Sequence, residues 1–161
     1  MVRSSLEYAG AVWNSCRKID VLTLEKTQVK IARIVLHLEG QRARLSDSAV
    51  LEKLEWPTLA WRRRLASLCL FWQLKNGLGS PRLTGRLPAP ASERGPHSLR
   101  KPANFAVPRC ASQLHYKSFL PGSIVLWNSL PVSVQSSPSL SFFRHCVYLH
   151  FQSDRFVFGL S

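Results

Sequence analysis

Acidic residues are scarce in this sequence and almost absent from its larger part. The 161 residues include 22 Lys and Arg but only nine Asp and Glu, which gives a net charge of +13. Residues 1–55 hold nine basic residues against seven acids, whereas residues 56–161 hold thirteen against two. Such a chain offers no acid-rich catalytic site, and its excess charge favours nucleic acid or an anionic surface as partner. The alternative is that the basic residues only keep the chain soluble.

The cysteines are few and too far apart to form a recognisable metal or redox site. They are Cys16, Cys69, Cys110 and Cys146, with no C-x-x-C pair among them. A zinc finger or knuckle needs closely spaced ligand pairs, so neither is expected. Cys69 lies in the apolar run LASLCLFW and is expected to be a core thiol. A thiol nucleophile is disfavoured as well, because no acid lies near the cysteines and their neighbouring histidines to orient a base.

Long apolar runs are also missing. No run approaches the roughly 20 residues that a membrane-spanning helix needs. The N-terminal MVRSSLEYAGAVW lacks the continuous apolar core of a signal peptide. We therefore expect an intracellular protein, nuclear or cytoplasmic, that has no membrane partner. The hydrophobic content of 45% suits a folded chain, and the length suggests one domain or two small ones.

Apolar spacing predicts a first helix near residues 3–13 and a second, two-faced helix from an N-cap at Asp20 to about Leu38. The apolar stripe of the second helix consists of Leu24, Ile31, Val35 and Leu38. The opposite stripe is basic and consists of Lys26, Lys30, Arg33 and His37. The first stripe is expected to face the core, and the second is either a phosphate-binding face or simply a solvated one.

A long apolar helix is predicted to follow a short capped one. SDSAVLEKLEW predicts the short helix, and Trp56-Pro57 is expected to start the long one, because proline is favoured at the first helical position. Asn76-Gly77 ends it. Its apolar residues cover so much of its surface that we place it at the centre of a helical cluster. Arg62-Arg63-Arg64 interrupts this surface for one turn, and one or two of these are expected to face a partner or pair with a Glu.

The C-terminal half begins with a stretch over residues 77–102 that is rich in Pro, Gly, Ser and Arg and predicts a linker or an extended basic arm. NFAVPRC and QLHYKSF alternate enough to predict short strands. In IVLWNSLP, Trp127 is expected to anchor the core, Asn128 to close a helix in the left-handed conformation, and Pro131 to end it. Pro138 is expected in the first turn of the last helix, SPSLSFFRHCVYLHF.

The order of several segments carries a resemblance to a known family. These are VRSSLEYAGAVWNS, LEKTQVKIARIVL, LEWPTLAWRRRLASLCLFWQLKNGL, an Arg-Gly-Pro-His stretch, SFLPGSIVLWNSLP and SPSLSFFR. In this succession, residues 2–149 resemble the C-terminal part of reverse transcriptases encoded by non-LTR (LINE-type, jockey-like) retrotransposons. The resemblance implies a helical thumb subdomain and a C-terminal extension, which in the family follow the polymerase palm and help to hold the RNA template and the growing DNA.

The predicted fold class is mainly α. The resemblance implies a helical thumb-like subdomain over residues 1–77, and the composition adds a basic Pro/Gly-rich linker over 78–103. Short strands and two helices are expected over 104–150, as a small α+β segment. Residues 151–161 are expected to be an irregular tail.

The resemblance does not bring a polymerase active site with it. In the family, the paired palm aspartates that hold divalent metal lie upstream of the LEYA motif. The aspartates of this chain are Asp20, Asp47 and Asp154, none of them in an aromatic-x-Asp-Asp turn. No segment resembles the family's endonuclease domain. We therefore predict a non-catalytic fragment rather than an enzyme, without catalytic residues, metal or cofactor.

Two classes of function are open. The first is residual, sequence-independent binding of RNA, DNA or an RNA–DNA hybrid. The candidate contacts are Lys26, Lys30, Arg33, Arg62, Arg63, Arg64, Arg94, Arg100, Lys101, Arg109 and Lys117. Tyr116 and Phe119 beside Lys117 are placed to stack on bases, although core packing is their expected use.

The second class is a protein-interaction module that binds other reverse transcriptase domains or a second copy of itself. A thumb without its palm is expected to expose apolar surface, for which Trp13, Trp61 and Trp72 are the candidates. A third reading is an expressed relic with no selected function. Val29, Gly122 and Val125 stand where the family usually has basic residues, which is typical of a decaying element copy.

Overall fold

The computed structural model describes residues 18–38, 45–90 and 104–157, apart from the side chains of residues 18, 37 and 38. The predicted first helix near residues 3–13 lies outside these residues. Helices dominate the described part, which confirms the mainly α fold class. They are α1 (Lys18–Leu38), α2 (Asp47–Lys53), α3 (Leu59–Lys75), α4 (Pro81–Thr84), α5 (Gln113–Tyr116), α6 (Phe119–Ser129), α7 (Val132–Gln135), α8 (Leu140–His150) and a 3-10 turn (Gln152–Asp154).

The strands predicted in the C-terminal half are wrong. Within the described ranges the only β-type pairing is an isolated bridge between Pro90 and Phe105. The Asn128 side chain takes the place of a neighbouring strand, because its Nδ2 donates to the Phe105 carbonyl at 2.8 Å and its Oδ1 accepts from the Phe105 N–H at 3.0 Å. QLHYKSF contains the helix α5, whose Ser112 cap accepts from the His115 N–H. The chain therefore turns back on α6 without forming a sheet.

The stretch predicted as a linker contains local structure as far as residue 90. Four of its residues form α4, with Pro81 in the first turn. The half-buried Leu87 packs against the larger hydrophobic core. Residues 91–103 of this stretch lie outside the described part, so the division of the chain into domains stays a prediction.

Side-chain caps decide where the helices begin. Ser46 caps α2 by accepting from the Ala49 N–H, as predicted. The long helix α3 begins at Leu59 rather than at Pro57, because the Thr58 hydroxyl accepts from the Trp61 N–H at 3.3 Å. Likewise α8 begins at Leu140 after its cap Ser139, so Pro138 lies before the helix and not in its first turn as predicted. Among the described helices, none combines the length and the apolar character that a membrane crossing requires.

The face that α1 buries differs from the predicted one. Its buried residues are Glu25, Gln28, Val29, Ala32 and Leu36. The predicted stripe is only half-buried at Leu24, Ile31 and Val35, and the side chain of Leu38 lies outside the described part. The helix is rotated because two polar residues turn inward to hydrogen-bond partners: Glu25 bonds the first residues of α3, and Gln28 bonds the Pro57 carbonyl just before it.

Trp127 lies at the centre of the main core, which α3 forms with α6 and α8. Its ring is fully buried, 5.2 Å from Phe71 and 5.6 Å from Phe143, with Phe105 at 6.5 Å. Its carbonyl accepts from the Gln135 amide at 2.7 Å. The prediction of a core anchor is confirmed. Asn128, however, is not left-handed, since α6 continues to Ser129 and is capped by an extended Leu130.

A second, smaller core joins α1 to α2. It consists of Val29, Ala32, Leu36, Val50 and Leu51. Arg33 spans the two helices from the outside, because its Nη2 lies 2.7 Å from the Asp47 carboxylate and 2.9 Å from the Leu45 carbonyl. This arrangement holds α2 against one face of α1 and leaves another face of α1 in solvent.

The Glu25 carboxylate caps the N-terminus of α3 from α1. Its Oε2 accepts from the Leu59 N–H at 3.1 Å and its Oε1 from the Ala60 N–H at 2.7 Å, although Glu25 itself is only 2% exposed. A negative charge is favourable at this end of a helix, where backbone N–H groups are unpaired. Burial nevertheless raises the pKa of Glu25 above its ordinary value, and the two hydrogen bonds and the Arg63 charge offset this only in part.

We predict that the protein becomes less stable as pH rises through the folded-state pKa of Glu25. Because that pKa is raised, the folded protein binds more protons than the unfolded chain between the unfolded and folded values. The free energy of unfolding therefore decreases with increasing pH across this window. In the Glu25→Gln variant this decrease should be absent. Urea unfolding of both proteins across a pH series measures the free energy of unfolding at each pH. The same pH profile in both proteins would contradict the prediction.

Candidate nucleic-acid interface

The arginine run at the start of α3 is engaged within the protein. Arg62 Nη2 donates to Gln28 Oε1 at 3.2 Å, and Arg64 Nη1 lies 3.8 Å from Asp154 Oδ2. Arg63 is only 5% exposed, and its charge acts on the buried Glu25 carboxylate. A guanidinium in that position cannot reach a phosphate outside the protein, so Arg63 serves the fold rather than the predicted interface.

The basic stripe of α1 is divided between structure and solvent. Lys26 and Lys30 are exposed, one helical turn apart, and neither has a carboxylate within 4.0 Å among the residues that the structure describes. Arg33 continues the stripe but holds Asp47. That ion pair is exposed on both sides, so it contributes little stability and leaves the guanidinium accessible. Lys26 and Lys30 thus form the open part of the stripe.

A second group of cations flanks α5. Arg109 is exposed before the helix, and Lys117 is half-buried directly after it. Tyr116 is 44% exposed, contrary to the expected core packing, whereas Phe119 is half-buried. An exposed aromatic ring beside cations is the combination that binds single-stranded nucleic acid by stacking. The candidates Arg94, Arg100 and Lys101 lie outside the described residues.

The structure adds exposed cations that the sequence motifs did not single out. Arg82 in α4, Arg86 after it and Arg144 in α8 are exposed. The signal that could have found them is the absence of acids, since Asp154 is the only Asp or Glu in the described residues after Glu55 and it pairs with Arg64. Lys75 is a different case. Its Nζ lies 5.1 Å from the centre of the Trp127 ring, and burial lowers its pKa.

Two tryptophans predicted to form an exposed apolar surface are buried instead. Trp72 stacks on Phe143 in the main core, with ring centres 6.1 Å apart. Trp61 meets the edge of Tyr148 at 5.4 Å and donates its indole N–H to the Phe151 carbonyl at 2.9 Å. The C-terminal residues thus cover Trp61, which removes it from any apolar surface. Trp13 lies outside the described part.

No cluster of three or more His, Cys, Asp or Glu side chains suited to a metal ion occurs in the residues that the structure describes. Cys69 is half-buried against the main core, as expected of a core thiol. Burial raises its pKa, and the nearby Arg144 charge counteracts this only in part.

Comparison of the chain with protein-family models, with curated proteins and with solved structures gives no match. The resemblance to the C-terminal region of non-LTR reverse transcriptases therefore stays a hypothesis that rests on the sequence motifs. The surface just described, with its exposed lysines and arginines, has to be interpreted from its own chemistry.

We predict that Arg63 matters for stability and Lys30 does not. Arg63→Ala removes the cation that faces a buried carboxylate, and it should lower the free energy of unfolding by about 3 kcal/mol. Lys30→Ala removes the same charge from an exposed position and should change the free energy of unfolding by less than about 0.5 kcal/mol. Urea unfolding followed by circular dichroism compares the two. Equal stability of the variants would show that Arg63 has no such role.

Proposed function

We propose that this chain is a non-catalytic binder of nucleic acid that contacts RNA, DNA or an RNA–DNA hybrid without reading its sequence. The observation that carries the proposal is a set of accessible cations without carboxylate partners in the described part of the chain. They are Lys26, Lys30, Arg82, Arg86, Arg109 and Lys117. Cations of this kind attract phosphates over long range and release counterions when they bind them.

The chemistry of these cations supports phosphate contacts rather than base recognition. They belong to different elements, namely α1, α4 and the segment around α5. Contacts from scattered lysines and arginines to the backbone position a nucleic acid but carry no sequence information. A basic surface that binds in this way fits the role that the resemblance implies, in which a thumb and its extension hold a template and a growing strand.

The alternative is an expressed relic of a mobile element whose charge has no use. Both readings share the expected relationship to the C-terminal region of non-LTR reverse transcriptases, and both expect no polymerase activity. They differ in whether a folded sample binds nucleic acid at all. Binding that weakens steeply with salt favours the proposal, whereas no binding by folded protein at low salt favours the relic.

We predict that Lys26 and Lys30 contact phosphates. Binding of a labelled RNA–DNA hybrid is followed by fluorescence anisotropy across a salt series. The association constant K falls with salt, and the double variant Lys26→Ala/Lys30→Ala should make the negative slope of log K against log salt shallower by about 2, or about 1 for each lysine. Lys53→Ala is the control, because Lys53 is exposed at the end of α2 but follows the acid Glu52 and precedes Glu55 by two residues. An unchanged slope in the double variant would remove the α1 stripe from the interface.

We further predict that Tyr116 stacks on unpaired bases. Tyr116→Ala should weaken binding to a single strand by about 1–3 kcal/mol while leaving duplex binding nearly unchanged, because only unpaired bases offer a free face. Phe142→Ala is the matched control, since Phe142 is also an exposed aromatic residue but lies on α8. Equal losses for the two variants, or equal losses on single strand and duplex, would contradict stacking at Tyr116.

A further inference from the structure

The segment that connects Phe105 to α5 lies on the surface and has no regular secondary structure. It covers residues 106–112, AVPRCAS, and it begins directly after the two hydrogen bonds between Phe105 and Asn128. None of the apolar residues that pack in or against the two cores belongs to residues 106–116. The helix α5, which follows, has four residues and buries none of them. The segment can therefore enter a cleft of another protein without opening either core.

An arginine three residues before a serine occurs twice in this sequence. Arg64 precedes Ser67 on α3, and Arg109 precedes Ser112 in the exposed segment. Protein kinases that prefer basic substrates recognise this spacing. In an extended peptide the arginine reaches carboxylates of the kinase while the serine hydroxyl reaches the γ-phosphate of ATP. The sequence alone makes both serines candidates for phosphorylation.

The structure separates the two serines. Ser67 is 0% exposed in the middle of α3, so a kinase could reach it only after the helix had left the core. Ser112 is exposed, as is Arg109, and its backbone is already extended, with φ −144° and ψ 158°. Its Oγ accepts from the His115 N–H at 3.1 Å, which occupies one lone pair and leaves the hydroxyl proton available for transfer.

We propose that Ser112 is a phosphorylation site for a protein kinase that prefers basic substrates, and that its phosphate prevents nucleic-acid contacts around α5. The kinase transfers the γ-phosphoryl group of ATP. The bond from the γ-phosphorus to the bridging oxygen of ADP breaks, a bond from the phosphorus to Ser112 Oγ forms, and the hydroxyl proton passes to the catalytic aspartate of the kinase. The effect on nucleic acid rests on the proposed function, whereas the assignment of the site does not.

The phosphate changes the charge of the cation group around α5. Residues 105–118 contain Arg109 and Lys117 and no Asp or Glu. A phosphoserine adds a charge of about −1.5 to −2 at pH 7, which offsets nearly all of these two positive charges. It also repels the phosphates of a nucleic acid, and it offers Arg109 a competing partner within the chain. The cations of α1 are unaffected by this local exchange, because they belong to a different element.

The first experiment tests the site. The folded full chain is incubated with ATP and a purified calmodulin-dependent protein kinase that selects arginine three residues before its serine, and mass spectrometry of the digested protein locates the phosphate. Ser112 should be modified and Ser67 should not. Arg109→Ala should slow modification of Ser112 by about tenfold or more, because the kinase loses a charged contact.

A synthetic peptide of residues 60–70 shows whether burial is what protects Ser67. The peptide carries Arg64 and Ser67 without the core around them, so the kinase should modify it. Three results would overturn the assignment: no phosphate on Ser112 while the peptide is modified, modification of Ser67 in the folded protein, or an unchanged rate at Ser112 in the Arg109→Ala variant.

The second experiment tests the effect on nucleic acid. Binding of a labelled single-stranded RNA to the phosphorylated and the unmodified protein is compared by fluorescence anisotropy across a salt series. Phosphorylation should weaken binding at low salt by about tenfold, and it should make the negative slope of log K against log salt shallower by about 2, for the lost contacts of Arg109 and Lys117.

Ser139 is the matched control for the position of the added charge. It is exposed, it has the same extended backbone (φ −140°, ψ 157°), and its Oγ accepts from the Phe142 N–H at 3.2 Å, but the residue three positions before it is Ser136. Ser139→Glu should leave RNA binding nearly unchanged, whereas Ser112→Glu, which adds the same charge beside the cations of α5, should weaken it by about threefold.

The results of the second experiment distinguish the two proposals. Equal weakening by Ser112→Glu and Ser139→Glu would show an effect of net charge alone and would overturn the regulatory role of Ser112. The same conclusion follows if the phosphorylated protein binds RNA as tightly as the unmodified protein. If the folded, unmodified protein does not bind RNA at low salt, the proposed function fails together with the regulatory role. The phosphorylation site itself is still decided by the first experiment.

Discussion

The buried carboxylate of Glu25 at the N-terminus of α3 determines how the N-terminal helices are arranged. It holds the first two N–H groups of α3, and Gln28, one turn later, donates to the Pro57 carbonyl at 3.0 Å. Both contacts join residues that are about thirty positions apart, so they set the rotation of α1 about its own axis. Once Glu25 and Gln28 face inward, Lys26 and Lys30 have to face solvent. The open cationic stripe is therefore a consequence of an internal hydrogen-bond pattern.

The C-terminal residues also contact this end of α3, on the side away from α1. The Arg155 carbonyl accepts from the Thr58 N–H at 2.9 Å, and Asp154 pairs with Arg64. The arginine run consequently lies between α1 and the C-terminal turn. The opposite end of α3 is held by aromatic packing around Trp127 instead. One long helix thus connects a polar junction with an apolar core.

Elements whose signals are local could be predicted from the sequence, and elements that depend on distant partners could not. The Ser46 cap, the end of α3 at Asn76-Gly77 and the burial of Trp127 follow from neighbouring residues. The face of α1 was mispredicted because hydrophobic periodicity treats Glu25 as a surface residue. The strands failed because the alternation around Phe105 is satisfied by a single asparagine side chain. At the candidate site, exposure of Lys26, Lys30 and Arg109 follows from the pattern, but the burial of Arg63 depends on a carboxylate 38 positions away.

The described residues contain few acids, and this explains why many lysines and arginines are exposed without a carboxylate partner. Glu25, Asp47 and Asp154 are each used to hold helices together, and each faces or acts on an arginine. In residues 56–161 thirteen basic residues stand against only two acids, so most cations of that part have no acid of the same part to neutralise them. Mutual repulsion of such cations costs stability, and an anionic partner relieves it. In the proposed function, the phosphates of a nucleic acid are that partner, and they relieve the repulsion at the exposed lysines and arginines. The exposed cations and the internal junctions of the helices thus share one cause, which is the small number of acids in this sequence.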